Sequence, residues 1–207
     1  MPDTTAGPTR GRPADPDIEA RVLATTLELY REVGWARLNL DLVARRASVG
    51  KAALYRRWPT KEQLITAALA SRIPPPDVFD TGTLRGDLLA VAHLTLRQAL
   101  DGSGLIDIRL SLEEKIYPEM FGETLAEIGR EQIQSARNII LRAIDRGELP
   151  VGTSPAMVLD AVAGTIKHHY LMTPVDRRDA LRADSVGYVE RVVDFVLTAA
   201  GYRHLEE

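Results

Sequence analysis

The 207-residue chain contains no cysteine. That excludes disulfide staples, thiolate metal sites and cysteine nucleophiles. No apolar run approaches the roughly 20 residues a membrane-spanning helix needs. The opening stretch, "MPDTTAGPTRGRPADPD", has no apolar centre and does not read as a secretory leader. No segment sustains a two-residue alternation rich in Val, Ile and Thr, so no sheet is expected. Repeats and low-complexity tracts are absent. What remains is 45% apolar and 27% charged, the composition of one or two soluble domains with a sizeable core. A soluble, cytoplasmic protein is the expectation.

The net charge of -3 hides an asymmetry. Residues 1–72 carry 12 Lys/Arg against 8 Asp/Glu, whereas residues 73–207 carry 14 against 21. Within 37–61 there are seven basic residues and one acidic residue, Asp41. A basic module joined to an acidic remainder suits a surface that faces phosphates.

Proline and glycine divide the chain. Residues 1–14 form a basic arm with Arg10 and Arg12. Residues 15–72 form a compact head, and 73–83, which contains three successive prolines, is the linker. Residues 84–207 read as about five longer helices, near 84–100, 105–120, 123–146, 155–171 and 182–200. In the head, Asp15-Pro16 reads as an N-cap and first helical residue. A stripe from Ile18 to Val33 follows, and Gly34 ends it. Asn39 caps a second helix with Leu40, Val43, Ala44 and Ala47 on one face. A third helix runs from about Lys51 to Arg57, with Val49 and Leu54 at hydrophobic-staple spacing. Thr60 and Gln63 form a capping box that opens a fourth.

Residues 39–57 carry the chemistry. Burial of Leu54 and Trp58 leaves Lys51, Ala52, Tyr55 and Arg56 on the opposite side of the third helix. Small side chains, Ala52 and Ala53, near the helix start let the backbone approach base edges in a major groove. Arg56 has the fork that reads guanine. Lys51, Tyr55, Arg57 and Lys61 can hold phosphates, as can the amide of Gly50 and side chains at Asn39, Arg45 and Arg46. Arg10 and Arg12 could reach a neighbouring minor groove.

The order of residues in the head resembles the TetR/AcrR family of transcriptional repressors. Asn39, Val43, Ala44, Ala47, Val49, Leu54, Tyr55, Trp58, Lys61, Glu62 and Leu64 stand in register with that family's pattern, and "LELYREVGW" (27–35) is similar to the ending of its first helix. "GTIKHHYLMT" (164–173) is similar to a helix of some members, with His168 and His169 where Tyr and Arg often stand. The resemblance implies an all-α protein of about nine helices. It implies a three-helix helix-turn-helix head and a C-terminal domain that binds an effector and forms a homodimer. The implied partners are a palindromic double-stranded operator and a small apolar or amphipathic effector that releases it. No cofactor, catalytic residue or membrane partner is implied.

Candidate effector-pocket residues are His93, Arg97, Arg109, Glu113, Tyr117, Met120, Phe121 and His168, which mix apolar and polar groups on helical stretches. Candidate dimer residues are Val158, Val162, Thr165, Ile166 and His169 on one helix, and Val189, Val192, Val193 and Val196 on another; an intrachain core accounts for the same stripes. His168 and His169 point about 100° apart on a helix and do not chelate a metal well. Glu113, Glu114 and Tyr117 lack the accompaniment of a hydrolytic site. One departure supports a rival reading. Ser48 stands where the turn usually carries Gly, and Gly50 stands where the third helix usually carries a capping Ser. The rival is a protein- or lipid-binding helical module whose head binds DNA weakly or serves as scaffold. The post-helix position of Ser48 predicts a positive φ there.

Overall fold

A computed structural model describes residues 16–73, 79–117 and 123–203. These residues form ten α-helices and no strand. They are α1 (Pro16–Arg37), α2 (Leu40–Arg46), α3 (Lys51–Arg57), α4 (Lys61–Ala70), α5 (Leu84–Asp101), α6 (Gly104–Ile116), α7 (Glu123–Asp145), α8 (Pro155–Met172), α9 (Arg178–Ala183) and α10 (Ser185–Ala199). The short α9 and the 3₁₀ turn Val175–Arg177 lie where proline and charge density mark only a break. The arm with Arg10 and Arg12, the Asp15 cap, Met120 and Phe121 lie outside the described residues.

Capping sets the helix starts. The Asn39 side chain accepts from Leu42 N at 2.9 Å, Thr60 from Gln63 N at 3.2 Å and Thr83 from Gly86 N at 3.1 Å. Each bond satisfies an amide that the helix itself leaves unpaired. α3, α6, α9 and α10 start without such a bond. Gly50 caps α3 in extended conformation with no side-chain bond.

The described residues form two hydrophobic cores. The head core gathers Val22, Leu29, Tyr30, Val43, Leu54, Leu64, Ile65 and their neighbours from α1 to α4. The second core is built by α5, α8 and α10, with the C-terminal half of α7 against them. Ile106 of α6 belongs to the head core, and Leu110 packs against it. α6 therefore packs with the head, although it follows the linker in sequence. The linker end is tied to the second core. Buried Asp87 accepts from Thr81 N at 2.6 Å and its hydroxyl at 2.7 Å, and Arg142 donates to the Phe79 carbonyl at 2.6 Å. The buried Glu148 carboxylate accepts from Leu84 N at 2.6 Å at the start of α5.

Two backbone positions in the head are left-handed. Gly34 breaks α1 with φ 71° and ψ 179°, a region essentially restricted to glycine. A Cβ there would lie 2.2 Å from Arg109 Nη1 and 2.5 Å from Glu113 Oε1. Ser48 has φ 55°, the sole positive value at a non-glycine among the described residues. Val49 N donates to the Ala44 carbonyl at 3.0 Å and Ser48 N to that of Arg45 at 3.3 Å. This is the paired closure of a Schellman cap. The φ predicted for Ser48 is found, and the turn keeps its geometry at the cost of local strain.

The two positions should respond oppositely in urea denaturation. Ser48→Gly relieves a strained angle and should raise stability by about 0.5–1 kcal/mol, the strain less the glycine entropy. Gly34→Ala should lower stability by at least about 1–3 kcal/mol.

Candidate nucleic-acid interface

α3 is held by little. Of its seven residues only Leu54 is buried, with Trp58 anchoring the chain directly after it. Such a short helix is unstable alone, so its persistence rests on Leu54, Trp58 and the cap that delivers it from α2. Arg21 of α1 supports that cap by donating through Nε to the Ala47 carbonyl at 3.1 Å. Lys51, Ala52, Ala53, Tyr55, Arg56 and Arg57 are all exposed. The N-terminal end of the helix presents only the two alanines between Lys51 and Leu54, and a Cβ at Gly50 would meet open space.

The structure divides the predicted cations into three sets. Arg45 and Arg56 are exposed and make no hydrogen bond or ion pair within the described residues. Lys51, Arg46 and Arg57 are held by carboxylates. Lys51 Nζ lies 2.7 Å from Asp41, Arg46 lies 3.1 Å from Glu32, and Arg57 pairs with Glu19 while lying over the Trp58 ring. These pairs are solvent-exposed, and water and salt screen such pairs so that they contribute little. A phosphate can therefore displace them. Lys51 holds the Asp41 carboxyl below its ordinary range by hydrogen bond and charge, with lesser help from Tyr55 and Arg45. Asp41, the lone acid of 37–61, is thus an ionised counterion to Lys51.

Lys61 forms the third set. Its ammonium donates to the Trp35 carbonyl at 3.1 Å and sits 3.9 Å from the Trp35 ring centre. It is part of the head's own joint before it meets any phosphate. Asn39 likewise serves as the α2 cap. Arg37, counted in the basic stretch but given no role by its pattern, is exposed just before α2, and its guanidinium makes no hydrogen bond or ion pair among the described residues. Its only sequence signal was its place in that charge cluster.

Comparison with known proteins bears on the whole arrangement. Residues 22–68 match the family model "Bacterial regulatory proteins, tetR family", and residues 78–196 match "Tetracyclin repressor-like, C-terminal domain". The chain is 37% identical over 147 residues to an uncharacterized HTH-type transcriptional regulator of Mycobacterium tuberculosis, covering 67% of this chain and 70% of that one. It is 31% identical over 184 residues to the DNA-binding transcriptional repressor TetR of Mycobacteroides abscessus, covering 86% and 90%. The chain belongs to the TetR family of transcriptional regulators. The fold is shared with TylP of Streptomyces fradiae, at TM-score 0.64 and 21% identity over 88% of this chain and 86% of that one. It is also shared with NalD, described as the secondary repressor of a multidrug efflux pump in Pseudomonas aeruginosa, at TM-score 0.57 and 18% identity over 92% and 98%.

In this TetR-family chain the predicted effector residues do not converge. His93 and Arg97 of α5 and His168 of α8 are exposed. Tyr117 is exposed at the end of α6. Arg109 and Glu113 turn to the head, where they cover Gly34 and Trp35. Helical periodicity placed these residues on faces, and the packing of α6 on the head chose which face is covered. Thr95, Gln98, Asp107, Ile108, Lys167 and Tyr170 instead line a nearly closed cavity of about 10 Å³ between α5, α6 and α8. A wider surface groove of about 590 Å³ lies between the end of α8 and the start of α10, beside the stacked rings of His169 and Tyr188.

The valine stripes also need correction as dimer residues. Val158, Val162, Ile166, Val189, Val192, Val193 and Val196 are buried in the chain's own second core. Thr165 and His169 are exposed. α8 and α10 each carry a second apolar face turned outward, with Met157 73% exposed and Phe195 75% exposed, and with Leu171, Met172 and Val186 also exposed. A stripe specifies that something packs on it; the identity of the partner is a tertiary fact.

The rival reading rested on Ser48 and Gly50, and the intact cap removes that support. Two substitutions probe the surface by anisotropy titration on specific and random duplexes. Arg56→Ala should cost about 1–3 kcal/mol on the specific site and relax one base position. Asp41→Asn frees Lys51 and should tighten binding to all sequences alike, with a steeper salt dependence.

Proposed function

We propose that the protein is a dimeric repressor that acts in the cytoplasm, reads a palindromic operator with α3, and leaves it when a small apolar or amphipathic effector binds the C-terminal domain. The observation that carries this reading is the cap-and-helix unit at 47–57, which delivers an almost wholly exposed α3 with Arg56 unpaired beside two alanines. Two copies related by a two-fold axis match the two half-sites of a palindrome. The outward apolar faces of α8 and α10 are the proposed dimer surface, continuing the helix packing of the second core to a second copy.

The cavity between α5, α6 and α8 is the proposed effector site. At about 10 Å³ it holds no drug-sized molecule as it stands, so an effector must part these helices. α6 packs with the head core, and Arg72 at the end of α4 grips Asp107 of α6 at 2.7 Å and 3.3 Å. Displacing α6 therefore changes how the head is carried. The coupling between the two sites is of the order of 1–3 kcal/mol.

Anisotropy titration on DNA flanking the protein's own gene tests the reading. A palindromic segment should bind more tightly than scrambled DNA, with affinity falling by roughly 10³-fold or more between 50 and 200 mM salt. Equal binding to both duplexes with a flat salt response would sink it. Phe195→Glu should shift the protein toward monomer in sedimentation and weaken the palindrome by at least about tenfold, because the two heads then bind separately.

A further inference from the structure

We infer that Glu113 is a positioning residue for DNA binding, acting through the backbone of one residue, Trp35, on Lys61 at the start of α4. The inference deepens the proposed repressor function and rests on it for its DNA arm. The break at Gly34 turns the Trp35 N–H toward α6, where it donates to both Glu113 oxygens at 3.2 Å. The carbonyl of the same residue accepts from Lys61 Nζ at 3.1 Å, and the ammonium lies over the Trp35 ring at 3.9 Å. One residue is thus held by a carboxylate of the C-terminal domain and by a cation of the DNA-binding head.

The carboxylate has little room to shift. Its side chain is 13% exposed, and Arg109 braces it from the preceding turn at 3.2 Å. Gly34 allows this approach, since any Cβ would occupy the space of Arg109 and Glu113. Beneath the joint lies Tyr30, fully buried, whose hydroxyl is pushed up by burial and by the neighbouring Glu113. Lys61 is two residues past Pro59, which follows the Trp58 anchor of α3. A displacement of Glu113 therefore reaches the junction between α3 and α4 through one hydrogen-bonded residue. Arg72 and Asp107 fasten the other end of α6 but touch neither Trp35 nor Lys61.

The test uses the full-length dimer and the palindromic duplex, together with duplexes whose half-sites are one or two base pairs closer or farther apart. E113A and K61A should each raise Kd by about tenfold, with the double variant no worse than about twentyfold, because both act on one contact. E113A should also flatten the preference for the native spacing, which a mere loss of stability would not do. E113Q, which keeps an oxygen for the Trp35 amide, should stay within about threefold of wild type. Independent, multiplying effects of E113A and K61A would overturn the inference, as would an E113Q defect equal to that of E113A. If E113A fails to fold, amide exchange in the wild type decides: saturating duplex must slow exchange at the Trp35 N–H, and unchanged exchange overturns the inference. A wild type that binds no palindrome refutes the repressor function instead. K61A then reads the coupling without DNA, since faster exchange at the Trp35 N–H supports it and unchanged exchange overturns it.

Discussion

The structure turns on a break in its first helix. At Gly34 the backbone takes an angle that no side chain tolerates well, and the Trp35 amide leaves the helical direction to meet Glu113. Without that turn α6 would lose a partly buried polar contact with the head, leaving Ile106, Leu110 and the Arg72–Asp107 pair to hold it there. The helix that follows the linker in sequence is thereby packed with the DNA-binding unit in space. The boundary of mechanical units and the boundary of sequence segments do not coincide, and α6 bridges them.

The exposed surface of α3 follows a similar economy. α3 has one buried residue of its own and relies on Trp58, on the cap at 47–49 and on Arg21 beneath it. Strain at Ser48 is tolerated because two backbone hydrogen bonds close the turn around it. The cations around α3 are kept in reserve by Asp41, Glu32 and Glu19, in exposed pairs that a polyanion can displace. Arg45 and Arg56 alone of the assigned cations among the described residues are already free. The net basic charge of the segment thus understates how much of it is internally neutralised before DNA arrives.

Much of the fold was legible in sequence because it is locally encoded. Asn39, Thr60 and Thr83 announce helix starts through bonds to amides three residues on. The positive φ at Ser48 follows from its place after α2, and the exposed side of α3 follows from the spacing of Leu54 and Trp58. The short α9 was not legible, since it lacks a side-chain cap and sits in a proline-marked break. Arg109 and Glu113 were legible as polar groups on an amphipathic helix, but their target was not, because Gly34 lies more than seventy residues away in sequence.

The sequence by itself determined an all-helical chain, a head that presents α3, and the stripes that helices bury, because capping, periodicity and turn geometry act within a few residues. Tertiary structure alone decided which partner each stripe meets. It turned the valines of α8 and α10 inward to α5 and left Met157 and Phe195 outward. It also gave Lys61 to Trp35 and Glu113 to the Gly34 break. Periodicity fixes a direction around a helix axis, whereas the neighbour in that direction is set by how the whole chain packs.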